Sequence, residues 1–129
     1  MNEPVTKIWD ATLYLRLSRE DGDKEESNSI SGQRDLIRDF MAHHPDLREY
    51  AVKVDDGFSG SSFERPAFKE MMADIKAGKT NCVIVKDLSR FGRNYLDAGE
   101  YIEKIFPFLG VRFIAINDNF DSERERPSS

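Results

Sequence analysis

The four-residue run Cys82-Val83-Ile84-Val85 is the strongest constraint that this sequence places on its fold. A short apolar run without alternation is typical of a strand that is buried on both faces, as in the centre of a parallel sheet. Parallel strands need long crossover connections, which are usually helical. The run therefore predicts an α/β protein with helices on both faces of its sheet.

Three further segments are strand candidates. Residues 11–17 alternate between apolar and polar side chains, and residues 50–54 and 111–116 complete the set. Together with the central run they predict a mainly parallel sheet of four or five strands. In such folds the functional site lies beyond the carboxyl ends of the strands.

Three helices are predicted between these strands. The first begins after Ser29, a favourable N-cap, and the second begins at Pro66, which suits a first helical turn. The third begins after Asn94, and Pro107 is expected to end or kink it. Its inward face is expected to carry Tyr95, Ala98, Ile102, Ile105, Phe106 and Leu109.

The chain has the length of one domain, since 129 residues form one shared core but not two full-sized ones. We expect a disordered or extended N-terminus over residues 1–10, the folded domain over residues 11–121 and a frayed tail over residues 122–129. The sequence has no apolar run of membrane-spanning length, no secretory signal, and Cys82 as its single cysteine. These features predict a cytoplasmic protein without a membrane partner.

The charge balance excludes a domain whose whole surface follows a phosphate backbone. Nineteen Lys and Arg against 24 Asp and Glu give a net charge of −5. Residues 85–94 are an exception, because this segment contains three basic residues, Lys86, Arg90 and Arg93, and one acidic residue, Asp87. Any contact with nucleic acid is therefore expected to be local.

Two groups of residues suggest phosphate chemistry. Tyr14, Arg16 and Ser18 share one face of the first strand, which places a serine hydroxyl one pleat from an arginine. Arg90 and Arg93 are spaced to bind one phosphate, because guanidinium forks match phosphate oxygens. Considered separately, an Arg-x-Ser more often opens a polar loop and an arginine pair more often forms a solvated patch.

Five motifs occur together in this chain, over about residues 12–121: Tyr14-Leu15-Arg16-Leu17-Ser18, Ser29-Ile30-Ser31-Gly32-Gln33, Asp56-Gly57-Phe58-Ser59-Gly60, Arg65-Pro66-Ala67-Phe68 and Lys86-Asp87-Leu88-Ser89-Arg90-Phe91-Gly92-Arg93-Asn94. In this order they resemble the catalytic domain of the serine recombinases (resolvases and invertases), especially the large type carried by mobile elements. The resemblance implies a resolvase-like fold and a site-specific recombinase that exchanges DNA strands through a 5′-phosphoserine, without metal, cofactor or ATP.

The resemblance also implies roles for individual residues. Ser18 is the nucleophile, and Gln33 supports the site. The scissile phosphate is bound by an arginine cluster formed by Arg16, Arg65, Arg90 and Arg93. The expected contacts to DNA phosphates are Lys86, Arg90 and Arg93. Small resolvases usually carry aspartate at the position of Ser89, so the group that assists proton transfer stays open between Asp87 and Ser89.

The implied partners are a double-stranded DNA crossover site and further copies of the chain, which form a dimer and then a tetramer in the full-length protein. In the family, a long helix and separate DNA-binding domains follow the catalytic domain. We therefore expect residues 1–129 alone to bind DNA weakly and to have little activity, because few phosphates are contacted.

No metal site is expected, because the adjacent His43 and His44 diverge on a helix.

A phosphoacceptor receiver domain is the alternative function. Such a signalling module agrees with the size and acidic pI of this chain, with the Asp55-Asp56 pair and with Lys86. The order of the motifs disagrees, because a receiver has its acidic pair after the first strand, where this chain has Arg16-Leu17-Ser18. Magnesium-dependent labelling by a small phosphodonor would favour the receiver.

Overall fold

A computed structural model describes residues 7–17, 29–58 and 62–125 of the chain. Its sheet has five strands in the order β2-β1-β3-β4-β5. The strands are β1 (Trp9–Leu17), β2 (Leu47–Asp56), β3 (Cys82–Val85), β4 (Arg112–Ala115) and β5 (Phe120–Asp121). All neighbouring pairs are parallel except β4 and β5, which are antiparallel. The prediction of an α/β fold with a mainly parallel sheet is confirmed.

Strand β3 lies at the centre of the sheet, between β1 and β4. All four of its residues are fully buried, as the continuous apolar run predicts. Cys82 is a small core residue, and burial raises the pKa of its thiol well above the usual range. The central strand therefore places the start of the 86–93 loop at the middle of the carboxyl edge.

Helices pack against both faces of the sheet. Helix α1 (Ile30–Ala42) contributes Ile37 to one core, and helix α2 (Pro66–Lys76) contributes Phe68 to the other. The Ser29 hydroxyl caps α1 by accepting from the Gly32 N–H at 3.0 Å. The remaining helices are α3 (Leu88–Phe91), α4 (Tyr95–Glu100), a π-helix (Tyr101–Ile105), α5 (Phe106–Leu109), a 3-10 helix (Ile116–Asp118) and α6 (Ser122–Glu125). None of the helices in the described part of the chain is both long and apolar enough to cross a membrane.

The third predicted helix differs from expectation in its buried face. Pro107 has no N–H, and the turn before it widens to a π-helix in which the Phe106 N–H donates to the Tyr101 carbonyl. This wider turn changes the register between the two ends of the helix. Ala98 and Phe106 are buried as predicted, but Tyr95 is 89% exposed and Leu109 is 36% exposed. The predicted inward orientation of these last two residues is wrong.

Two described elements lie at the predicted limits of the domain. Strand β1 begins at Trp9, so its first two residues lie in the segment expected to be disordered or extended. At the other end, α6 occupies the first half of the segment expected to be a frayed tail. The Arg112 guanidinium donates to both carboxylate oxygens of Asp121, at 3.0 and 2.7 Å, and this fork holds β5 beside β4. Residues 1–6 and 126–129 lie outside the described residues.

Candidate active site

The described parts of the five motifs meet at the carboxyl edge of the sheet, where β1, β2 and β3 end. Arg16 is the central residue of this edge. Its side chain is fully buried, with Nε donating to the Arg90 carbonyl at 3.0 Å and Nη2 to the Ser89 carbonyl at 2.5 Å. Nη1 donates to the Phe58 carbonyl at 2.9 Å. The guanidinium therefore ties the loops after β2 and β3 to the end of β1.

Gln33 fixes the backbone of the same strand. Its amide oxygen accepts from the Arg16 N–H at 3.3 Å, and its amide nitrogen donates to the Arg16 carbonyl at 3.0 Å. Arg90 Nη1 donates to that same carbonyl at 3.0 Å. A buried glutamine inside an otherwise apolar helix stripe is thus explained by this pairing. Ser18, two residues further along, lies outside the described residues.

Arg65 also contacts the 86–93 loop, which follows β3. It is buried just before α2, and Nε donates to the Ser62 carbonyl at 2.6 Å. Nη1 donates to the Tyr14 hydroxyl at 2.9 Å and to the Phe91 carbonyl at 2.8 Å. Its guanidinium carbon lies 4.6 Å from the centre of the Phe63 ring, close enough for a cation–π contact.

Arg16 and Arg65 together bind three consecutive carbonyls, those of Ser89, Arg90 and Phe91. These carbonyls belong to the end of α3, a position where helix carbonyls lack partners within the helix and where positive charge is favourable. The two buried cations therefore orient the loop that carries Arg90. From the sequence, both arginines are expected only as ligands of the phosphate.

Asp87 begins this loop as the N-cap of α3. Its carboxylate accepts from the Ser89 hydroxyl at 2.6 Å and from the Arg90 N–H at 3.1 Å. Burial alone would raise the pKa of this carboxyl, but those two hydrogen bonds and the neighbouring cations Lys86 and Arg90 together hold it below its usual value. A carboxylate in this state is a weak base, so its geometry favours the role of a cap.

The remaining two predicted cations differ in exposure. Lys86 is buried, with 7% of its surface exposed, and its Nζ lies 3.6 Å from Asp87 Oδ2. Arg93 lies just after α3 on the surface. The structure thus joins Arg16, Arg65 and Arg90 in one hydrogen-bonded assembly and places Arg93 in the same loop. Of the predicted cations in the loop, Arg93 is the one presented to solvent.

The sequence alone assigns no role in the site to two buried residues that lie behind it, Tyr14 and Asp55. The Tyr14 hydroxyl donates to Asp55 Oδ2 at 2.8 Å while it accepts from Arg65. The available signal was the strand phase, since Tyr14 lies on the same face of β1 as Arg16. In the sequence Asp55 is distinguished only as one member of an acidic pair, but its carboxylate is buried and accepts hydrogen bonds. This use of Asp55 does not favour the receiver alternative.

Gly92 permits close contact between the 86–93 loop and the Phe63 ring. A Cβ at position 92 would lie 2.5 Å from Cζ of Phe63. That ring is surrounded by Phe68, Phe91 and Tyr101, with ring centres within 5.1 Å. We expect Gly92→Ala to lower the free energy of unfolding by about 1–3 kcal/mol, the usual cost of overpacking.

Urea denaturation measures this effect, with Gly99→Ala as the matched control. A Cβ at Gly99 meets no atom within 4 Å, and alanine is the better helix former, so this variant is expected to be neutral or slightly more stable. Equal stability of the Gly92 and Gly99 variants would contradict the assigned contact.

Comparisons with known proteins agree with this geometry. A family model described as the resolvase N-terminal domain matches residues 11–128. The N-terminal catalytic domain of TP901-1 integrase is 27% identical, with a TM-score of 0.79 over 88% of this chain and 82% of that one. A resolvase family site-specific recombinase from Streptococcus pneumoniae is 33% identical, with a TM-score of 0.70 over 92% of this chain and 78% of that one.

A more distant structure shares the fold. The C-terminal catalytic domain of ISC1926 TnpA, an IS607-like serine recombinase, is 21% identical, with a TM-score of 0.66 over 82% of this chain and 68% of that one. The matched region contains all the motifs that meet at the carboxyl edge of the sheet. This chain therefore belongs to the serine recombinases and carries their resolvase-type catalytic domain.

Proposed function

We propose that this domain cuts and rejoins double-stranded DNA at a crossover site, with Ser18 as the nucleophile. One observation carries the proposal: the end of β1, directly before Ser18, is bonded to the loop that carries Arg90 and Arg93. The Arg16 carbonyl accepts from Arg90 while the Arg16 side chain holds the Arg90 carbonyl. The described strand that ends at Leu17, directly before Ser18 in the sequence, is therefore bonded to the arginine cluster.

The proposed step is an in-line transesterification. The Ser18 hydroxyl oxygen forms a bond to phosphorus and loses its proton, while the bond from phosphorus to the 3′ oxygen breaks and that oxygen gains a proton. The product is a 5′-phosphoserine and a free 3′-hydroxyl. Attack by a 3′-hydroxyl of an exchanged strand reverses the step, so neither ATP nor water is consumed.

The role of the arginines is to stabilise the negative charge that develops in the transition state. Preorganised donors do this without reorganising during the reaction, which is why such groups contribute strongly to rate. We propose Arg90 and Arg93 as direct phosphate ligands, and Arg16 and Arg65 as members of the same cluster that also hold the loop. Lys86 adds positive charge from a buried position. The Ser89 hydroxyl, bonded to Asp87, remains the candidate for assisting proton transfer.

Self-association in the full-length protein is part of the proposal, because exchange of two duplexes needs an active site for each strand. Tyr95 and Leu96, which are 89% and 85% exposed on α4, provide apolar surface near Arg93 for such contacts.

The polarity of the covalent product tests this function. The intact protein is incubated with nicked or mismatched duplexes from DNA that flanks its gene, and adducts are trapped by denaturation. We expect protein on the 5′ phosphate and a 3′-hydroxyl that a DNA polymerase extends. A 3′-phosphate linkage, or cleavage without any adduct, would contradict the proposal.

Chelation provides a separate prediction. Because guanidinium groups supply the charge that divalent metals supply in many phosphoryl-transfer sites, we expect EDTA to change the rate of adduct formation by less than about twofold. A metal-dependent nuclease on the same DNA serves as the control for complete chelation. Loss of adduct in EDTA, with recovery on adding Mg²⁺, would show that the cluster is insufficient.

A further inference from the structure

A buried hydroxyl and a buried carboxylate lie behind Arg65. The Tyr14 hydroxyl donates to Asp55 Oδ2 at 2.8 Å and accepts from Arg65 Nη1 at 2.9 Å. Tyr14 is fully buried and Asp55 is 2% exposed, so neither presents a surface for DNA. The hydroxyl therefore connects the carboxylate to the arginine.

Asp55 is itself held in place by a second element. Its two carboxylate oxygens accept from the N–H groups of Ala67 and Phe68, at 2.9 and 3.0 Å. These N–H groups belong to the first turn of α2, where a negative charge is stabilised. The position of the carboxylate is thus fixed independently of Tyr14 and Arg65.

The protonation of Tyr14 suits this arrangement. Burial raises the pKa of its hydroxyl far above the usual range, and the opposing effect of Arg65 does not cancel it. The hydroxyl therefore stays protonated and donates to Asp55, which leaves its oxygen lone pairs for the guanidinium.

Arg65 in turn contacts the loop of the proposed phosphate ligands. The nitrogen that donates to Tyr14 also donates to the Phe91 carbonyl, directly after Arg90. The Phe63 ring lies against the guanidinium at 4.6 Å. Loss of the hydroxyl would remove an acceptor from this nitrogen and loosen its hold on the Phe91 carbonyl.

We propose that Tyr14 and Asp55 are positioning residues for Arg65, holding its guanidinium on the loop that carries Arg90 and Arg93 so that the cluster is ordered before DNA binds. The inference rests on the proposed function, since it concerns the same site. It assigns to this buried pair an effect on the rate of the chemical step and none on DNA affinity.

A double-mutant cycle tests the inference in the intact protein. Adduct formation at saturating DNA is timed for the parent, Tyr14→Phe, Arg65→Ala and the double variant, and DNA affinity is measured for each. We expect Tyr14→Phe to slow the parent reaction about tenfold, as for a lost hydrogen bond to a charged group, with affinity unchanged within about twofold. In the Arg65→Ala background, the same change is expected to have less than about a twofold effect.

Tyr101→Phe is the matched control. The Tyr101 ring packs against Phe63 and Phe68, but its hydroxyl is not part of the hydrogen-bond chain described above. If Arg65→Ala does not fold, Arg65→Lys replaces it, since an ammonium group lacks the fork that bonds several acceptors at once. In the Arg65→Lys background, Tyr14→Phe is expected to slow adduct formation by less than about threefold.

Two results would overturn the inference while leaving the proposed function intact: equal slowing by Tyr14→Phe in both backgrounds, or no slowing in the parent. A parallel loss of DNA affinity would also overturn it, because that indicates general structural damage. Absence of adduct with the parent protein would instead reject the proposed function itself.

Discussion

Replacement of Ser18 by alanine is expected to abolish the covalent protein–DNA adduct, because the proposed reaction joins the DNA phosphate to the hydroxyl of this residue. The alanine variant keeps the arginine cluster, so binding of DNA should be retained. End-labelled duplex and a denaturing gel measure the adduct directly.

Ser31→Ala is the matched control for this variant. Ser31 is an exposed serine in the first turn of α1 and has no proposed role in catalysis. The Ser31→Ala variant is expected to form the adduct at the same rate as the parent protein. An undiminished adduct in Ser18→Ala would reject Ser18 as the nucleophile.

Arg90→Ala and Arg93→Ala are each expected to slow adduct formation by about 100-fold or more, because loss of one preorganised charge donor typically costs about 2.7–4 kcal/mol. The two variants should differ in stability. Arg90 is buried and donates to the Arg16 carbonyl, so its loss also lowers the free energy of unfolding. Arg93 is exposed, and its loss is expected to change stability by less than about 0.5 kcal/mol.

Single-turnover kinetics and urea denaturation on the same preparations separate these effects. Arg38→Ala provides a control for loss of a surface arginine, since Arg38 forms an exposed pair with Glu49 on α1 and β2. Parent-like rates for Arg93→Ala would remove it from the proposed cluster.

The order of the elements was accessible from the sequence because local signals agree with the fold. Each of these signals determines the structure of residues that are close to it in the sequence. They are the apolar run at residues 82–85, the cap at Ser29 and the proline at position 66. The π-helix before Pro107 was not accessible. Proline predicts a break or kink, but whether a helix ends or widens depends on the packing of Ala98 and Phe106 into the core.

The sequence predicts that Arg16, Arg65 and Arg90 lie together, but it does not predict which groups they contact. The phase of β1 and the spacing of Arg90 and Arg93 point toward a shared anion. No local pattern shows that the Arg16 guanidinium binds backbone carbonyls from two other loops, because those contacts depend on the folded sheet. The link from Asp55 to Arg65 is hidden for the same reason.

Electrostatics explains why these connections matter in an acidic protein. With a net charge of −5, the chain cannot rely on its overall field to attract DNA. Its buried arginines are instead held in place by hydrogen bonds to carbonyls and a tyrosine hydroxyl, and the capping carboxylate of Asp87 lies 3.9 Å from Arg90 Nε. The cluster therefore keeps a fixed geometry, which is the property that transition-state stabilisation needs.

Peptide mapping of the trapped adduct tests the central claim most directly. After nuclease and protease digestion, mass spectrometry locates the residual nucleotide on the protein. We predict a nucleotide linked through its 5′ phosphate to Ser18, in the peptide that follows Leu17. A nucleotide on any other residue, such as a tyrosine, would contradict the account.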